Sequence, residues 1–268
     1  MKCCCVILAC NDLEQKYPIM VKNSIGSFKK WHPDVELIVV NERVESLDDL
    51  WIWRVRYLRS LFDKGYTKVI CLGADTITCN KLDEFFEDDS TSFLATSDCP
   101  CIPDKFVNDF NNIYIHNRSV LDVQYINSDV SCFNNMIILD ELIKCMEAKN
   151  CHDNDAMNYL NCDPQHKKNI KIVDFPYTFK TFTYNLRGFG LLLGSDCIRE
   201  DGVHFGFDGP LISIKSPLKA WTVSDNKLYN QDGKHVKCIH FASYKNQMDT
   251  LFSKEVYDWF EKELNVFI

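Results

Sequence analysis

The sequence predicts an α/β domain in which a mostly parallel sheet carries helices on its faces, and three observations predict it. CCCVILAC, VELIVVN and TKVICLGAD are unbroken apolar runs of strand length, the pattern of strands buried on both faces. The stretches between them, 18–31 and 47–62, repeat apolar residues at helical spacing, so the opening third reads strand, helix, strand, helix, strand. No linker, internal repeat or low-complexity tract interrupts the 268 residues, which are enough to bury a sizeable core. One domain over 1–268 is the expectation.

Each element follows in order. MKCCCVILACND has a short apolar run and no small-residue cleavage site behind a clear hydrophobic region, so it reads as the first strand of a cytoplasmic protein. In 18–31, Ile19, Met20, Ile25 and Phe28 alternate with lysines and the helix stops ahead of Pro33. VELIVVN is the second strand, 47–62 the second helix with Gly65 as its stop, and TKVICLGAD the third strand. DEFFEDD is a short acidic helix and SFLATSD a strand, while 100–117, with Pro100 and Pro103, is a loop-rich insertion placed to cover a site. Beyond YINSDVSCFNN come helices over 139–148 and 153–160, the strand NIKIVDF, and the short β-like runs GPLISIK, KAWTV and HVKCIHF. A closing amphipathic helix spans 253–264, and no run approaches the roughly 18 apolar residues of a membrane span.

Thirty basic residues against 38 acidic ones give a net charge of -8, the wrong sign for a general nucleic-acid binder and little support for membrane association. A local cluster, Arg54, Arg56 and Arg59, remains available to grip a small phosphate. The 14 cysteines are about 5% of the chain, below the roughly 8–10% of a disulfide scaffold. Cys3, Cys4, Cys5 and Cys10, or Cys99 with Cys101, lack the paired C-x2-C spacing of a zinc site, so they read as reduced, buried thiols.

In a parallel α/β sheet, ligands bind beyond the carboxyl ends of the strands. Asn11-Asp12, Asn41-Glu42 and Gly73-Ala74-Asp75 all stand at such ends. None is a P-loop or a GxGxxG turn. A diphosphate bound there has to be managed by a metal ion or by side-chain cations.

The strings ILACNDLEQKYP, IGSFKKWHPDVELIVVN, RVRYLRSLFDKGYTKVICLGADTITCNKLDEFF, YINSDVSCFN, HDNDAMNYL and CIHFASYK, taken in this order, carry a resemblance over nearly the whole chain. It is similar to GT-A fold glycosyltransferases that use nucleotide-sugar donors, in particular the retaining galactosyltransferase and glycogenin-like group, glycosyltransferase family eight. The resemblance implies a nucleotide-binding half over about 1–100, a sugar- and acceptor-binding half over about 120–268, a UDP-sugar donor and a glycan, glycolipid or protein acceptor. It also implies Mn2+ or Mg2+, held by Asp75 from the Asp-x-Asp motif and by the late His240.

By the same resemblance Asp12 and Tyr17 meet the base, and Arg56, on the helix feeding the third strand, contacts the donor, as do Ala74 and Asp75. Asn127 and Ser128 take sugar hydroxyls, Lys245 stands at the diphosphate, Asp153 contacts the donor sugar and Asn154 lies near the anomeric centre. Three departures stand out. Gly73 occupies the place of the first carboxylate of Asp-x-Asp, Asp129 replaces the family's glycine beside the sugar, and Lys-Asn-Gln replaces the late Lys-Pro-Trp. Asp129 is therefore both a catalytic-site candidate and a possible substitute metal ligand.

Plainer readings stand beside these. Asp75 also suits a strand-end turn, His240 a satisfied core histidine, Asp153 a helix N-cap, Tyr17 a hydrophobic staple, and Arg54 and Arg59 a solvated surface. The aromatic residues of 175–189 suit a core as well as a sugar-stacking surface. Two other functions share the fold: a non-catalytic sugar-nucleotide-binding protein, and a sugar nucleotidylyltransferase, whose glycine-rich opening loop is missing here.

Overall fold

The computed structural model describes residues 2–11, 18–97, 126–173, 178–180, 221–229, 233, 235–240 and 253–265. In chain order the strands are β1 (Cys3–Leu8), β2 (Glu36–Val40), β3 (Lys68–Gly73), β4 (Thr76–Thr78), β5 (Phe93–Ser97), β6 (Ile126–Phe133), β7 (Ile170–Val173), β8 (Thr178–Lys180), β9 (Thr222–Ser224), β10 (Lys227–Tyr229) and β11 (Cys238–His240). The helices are α1 (Pro18–Trp31), α2 (Leu47–Asp63), α3 (Asp83–Glu87), α4 (Ile137–Lys149), α5 (Asp153–Cys162), α6 (Pro164–Lys167) and α7 (Lys254–Trp259), the last running on as a π turn over Phe260–Leu264.

Six strands form the central sheet in the order β2-β1-β3-β6-β5-β7, and only β6 runs against the others. The mostly parallel sheet with helices on its faces is the expected α/β class. The unbroken apolar runs follow from it, because successive side chains of a strand point to opposite faces and both faces are covered. Cys4, Val6, Val69 and Cys71 pack with Val55 and Leu58 of α2, Leu142 of α4 and Ala156 of α5. Cys5, Ile7, Ile70 and Leu72 pack with Val21 and Phe28 of α1 and Phe85 of α3. The strand cysteines thus act as small hydrophobes, and burial pushes the Cys5 and Cys71 thiols up. At the sheet's edge, β2 leaves Val39 exposed.

Local chemistry sets the helix ends. Ser46 caps α2, its hydroxyl accepting from Asp49 N at 3.0 Å, and Gly65 takes the left-handed conformation (φ 85°) just past the helix. Behind α3, the buried Lys68 ammonium donates to the Phe85, Phe86 and Asp88 carbonyls at 2.8, 3.1 and 3.3 Å, satisfying carbonyls a short helix leaves open. His32 lies between Phe28 and Phe86 and accepts from Leu82 N at 3.1 Å through Nε2. Burial, with a smaller push from Lys81, holds it neutral and lowers its pKa to about 4.

A second sheet in the order β4-β11-β8 and a β9-β10 hairpin form the rest of the described fold. The hairpin turns on Asp225 and Asn226, both at positive φ, as a two-residue primed turn requires. α7 and its π turn close over this region, where Trp221, Leu228, Ile239, Val256, Trp259 and Phe260 form a third core. Among the described residues no helix is long and apolar enough to cross a membrane. The insertion 100–117 and the run GPLISIK lie outside the described residues. Asp153 is not the N-cap of α5: His152 holds that position, and Asp153 is the first helical residue with its side chain turned inward.

Candidate active site at the strand ends

The site starts where β3 stops. The Gly73 carbonyl accepts from Thr76 Oγ1 at 2.8 Å and from Ser24 Oγ of α1 at 3.2 Å, which pins the Ala74–Asp75 turn into β4. β4 pairs antiparallel with β11 so that Thr76 lies opposite His240. This register brings a residue from the end of the chain beside Asp75, with His240 Nε2 3.2 Å from Asp75 Oδ1.

β6 supplies the next carboxylate through a break in its register. Against β5, Ala95 pairs with Ser131 but Thr96 pairs with Asn127, so Ser128, Asp129 and Val130 bulge from the ladder. Thr96 Oγ1 donates to the Val130 carbonyl at 2.9 Å and closes the irregularity. On the other side Leu72 pairs with Val130, which leaves Asp129 alongside Gly73. Its carboxylate spans the cluster, with Oδ2 3.5 Å from His240 Nε2 and Oδ1 2.6 Å from Arg54 Nη2.

Arg54 is the hub. Besides Asp129 it reaches Asp153 Oδ2 at 3.5 Å, the Ser128 carbonyl at 3.3 Å and Cys71 Sγ at 3.4 Å, with only 7% of the residue exposed. Burial opposes the charge on Arg54, but Asp129, Cys71 and Asp153 outweigh it and hold the guanidinium charged. Burial likewise opposes ionisation of Asp129, yet Arg54 and His240 carry its pKa below the ordinary carboxylate range. At Asp153 burial wins over Arg54 and the pKa is raised. Asp153 Oδ1 accepts from Asn154 N at 2.7 Å, whereas its buried Oδ2 has no hydrogen-bond donor. An acceptor left that way costs about 1–3 kcal/mol.

The N-terminus of α5 is locked to β6. Asn154 Oδ1 accepts from Ser128 N at 3.0 Å, and Asn158 bonds both backbone groups of Ile126, at 2.8 and 3.0 Å. Beyond β1, Asn11 takes φ 57°, its backbone N–H donating to Glu42 O at 2.9 Å and its side-chain Oδ1 accepting from Val44 N at 2.7 Å.

The structure therefore brings together Asp75, Asp129, Asp153, His240 and the Ser128–Asn154 contact, with Ala74 buried in the turn between them. Asn127 sits on β6 opposite Thr96. Asp12, Tyr17 and Lys245 lie outside the described residues. Arg56 is a correction: it points off the outer face of α2 to Glu147 on α4 at 2.7 Å, with 55% of its side chain exposed. The arginine in the cluster is Arg54. Its signal was present in the helical stripe, because Leu58 and Leu61 lie four and seven residues on and face the core. A surface reading of Arg54 is overturned by the same geometry, whereas Arg59 is a surface residue that pairs with Asp140 and Asp63.

The donor set, two carboxylates and an imidazole, has the chemistry of a Mn2+ or Mg2+ site. As the groups stand, no set of three or more His, Cys, Asp or Glu side chains among the described residues is arranged as a metal site. The imidazole instead contacts the carboxylate oxygens, at separations of 3.2 and 3.5 Å. Arg54 faces Asp129 and Asp153 while Asp75 stands at His240, so carboxylates outnumber the guanidinium and a diphosphate bound here would call for a further cation.

No protein-family model and no curated protein matches this chain. Solved structures do. Mouse xyloside xylosyltransferase 1 in its apo form superposes with a TM-score of 0.53 at 11% identity, covering 91% of this chain and 98% of that one. The galactosyltransferase LgtC with donor and acceptor sugar analogues gives 0.45 at 14% identity, covering 90% and 87%. The bifunctional glycosyltransferase WbbM gives 0.47 at 14%, covering 66% of this chain and 39% of its own length. At 11% identity the xylosyltransferase superposition speaks to the fold alone, and the fold is GT-A.

Proposed function

We propose that this protein is a glycosyltransferase that moves a sugar from a nucleoside diphosphate donor, a UDP-sugar, to a hydroxyl of a glycan, glycolipid or protein acceptor, with retention at the anomeric carbon. The observation that carries the reading is the placement of Asp75 and Asp129 within 3.5 Å of His240 at the carboxyl end of β3, on a GT-A sheet. Asp75 and His240 are the residues that would hold Mn2+, which supplies positive charge against the diphosphate as it departs. Asn154, whose Oδ1 accepts from Ser128 N, is the residue this reading assigns to the anomeric centre. Asp153 Oδ2 offers a buried acceptor that a donor-sugar hydroxyl would satisfy. Lys245 and the base-side pair Asp12 and Tyr17 complete the donor site in this reading.

The test is release of UDP from a panel of UDP-sugars by the purified protein with Mn2+. Asp75→Ala should lower turnover by about 10²–10³-fold, the usual effect of removing one group that stabilises a developing charge. Undiminished turnover in a folded Asp75→Ala protein would overturn the assignment. A second reading, a sugar-nucleotide-binding protein without catalysis, rests on the missing carboxylate at Gly73. It is favoured if donor binds and no UDP is released. Pyrophosphate release that depends on a sugar 1-phosphate would instead indicate a nucleotidylyltransferase.

A further inference from the structure

The two departures at Gly73 and Asp129 are one feature. A Cβ placed on Gly73 would lie 2.8 Å from Asp75 Oδ1, 3.1 Å from Asp129 Cβ and 3.4 Å from Asp129 Cγ. The first of these is closer than a real Cβ contact and the second is tighter than usual, so a side chain at position 73 would make the Asp75 carboxylate shift and Asp129 give by a few tenths of an ångström. The space that a side chain at this end of β3 would enter is bordered by Asp129 of β6 on one side and by Asp75 Oδ1 on the other. We propose that the site's second carboxylate has moved from β3 to the facing strand, where Asp129 acts as a ligand to the donor's divalent cation together with Asp75 and His240. The inference rests on the donor-binding reading above and adds the residue that completes its cation site.

Three independent features favour a working ligand over a structural aspartate. The β6 bulge breaks the ladder at 128–130 and leaves Asp129 beside Gly73, beyond the last paired residues of β3. Its two oxygens have divided tasks, Oδ1 being held by Arg54 at 2.6 Å while Oδ2 faces His240 at 3.5 Å. The same guanidinium also touches Asp153, a 2% exposed residue whose Oδ2 lacks a hydrogen-bond donor, so the cluster retains buried acceptor capacity that its own side chains leave unfilled. Arg54 is thereby a positioning residue, fixing one oxygen of Asp129 and leaving the other directed at the imidazole.

The test is a carboxylate swap, read by calorimetric titration with Mn2+ in the presence of UDP and by thermal unfolding without either. Asp129→Asn keeps the side-chain shape and should weaken Mn2+ binding at least tenfold in a folded protein. Gly73→Asp alone should lower the melting temperature and weaken Mn2+ binding, because its side chain meets Asp75 Oδ1 and crowds Asp129, adding a third carboxylate. Gly73→Asp combined with Asp129→Gly should recover both, bringing Mn2+ affinity to within a few-fold of the wild type. Asp129→Asn binding Mn2+ as tightly as the wild type, or a folded double variant no better than Asp129→Gly alone, would overturn the relocation. Wild-type protein that binds neither UDP nor Mn2+ would overturn the donor-site reading itself, a result distinct from the other two.

Discussion

Arg54 and Arg56 stand two residues apart on α2 and have opposite surroundings. Arg54 faces the sheet, is buried, and touches Asp129, Asp153 and a backbone carbonyl. Arg56 faces outward and meets one exposed glutamate, Glu147, whose side chain is 51% exposed. Each has a carboxylate within hydrogen-bond distance. What separates them is solvent, which screens the outer pair and leaves the inner arginine facing one buried acid, Asp153, and one half-buried acid, Asp129.

The sharpest way to break this comparison is to truncate each in turn. Arg54→Ala strands the carboxylates of Asp129 and Asp153, and loss of one partner of a buried pair costs about 3–5 kcal/mol. Urea unfolding should show that loss, and donor binding should disappear with it. An Arg54→Ala protein as stable as the wild type would mean that the buried cluster is not held by its guanidinium.

A smaller effect lies in the acid limb of stability, where two buried groups act in separate windows. His32 is neutral in the fold with its pKa lowered to about 4 from 6.5, so the unfolded chain binds the proton first. Its contribution is full above pH 6.5 and is lost as pH falls from there to about 4, amounting to roughly 3 kcal/mol at 1.36 kcal/mol per pH unit. His32→Gln, which can still accept from Leu82 N, should flatten that limb in urea midpoints measured from pH 7 to 4. Asp129 is also depressed, so its contribution is present above the ordinary carboxylate pKa of 3.8 and fades only below it. A wild-type stability curve flat from pH 7 to 4 would contradict the burial assigned to His32.

The smallest effect belongs to the outer face. Arg56→Ala should change stability by about 0–1 kcal/mol, with full donor binding, since exposed ion pairs contribute little. Loss of donor binding in Arg56→Ala, with Arg54→Ala unaffected, would return the site to the arginine first expected from the sequence.

Much of the fold was legible because burial on both faces leaves a continuous apolar signature, as in CCCVILAC and KVICLG. Short strands left less of a trace. β4, β8 and β10 are three residues each, too short for a period, and the Asp225–Asn226 turn was the available sign of the hairpin. At the site, Asp75 and His240 were nameable from local motifs, but their contact depends on β4 pairing with β11 across the chain. Arg54 was missed because an arginine on an apolar stripe reads as an outlier until the acids that face it are known. Asp129 was visible as a departure, and its meaning waited on the register that sets it against Gly73.

The central claim is that this strand-end cluster binds a nucleoside diphosphate through a divalent cation. Isothermal titration of the purified protein with UDP, with and without Mn2+, tests it most directly. UDP should bind with Mn2+ present, at least tenfold more weakly when the metal is withheld, and again more weakly in Asp75→Ala. Equal binding without Mn2+, or no UDP binding by the folded protein under either condition, would contradict it.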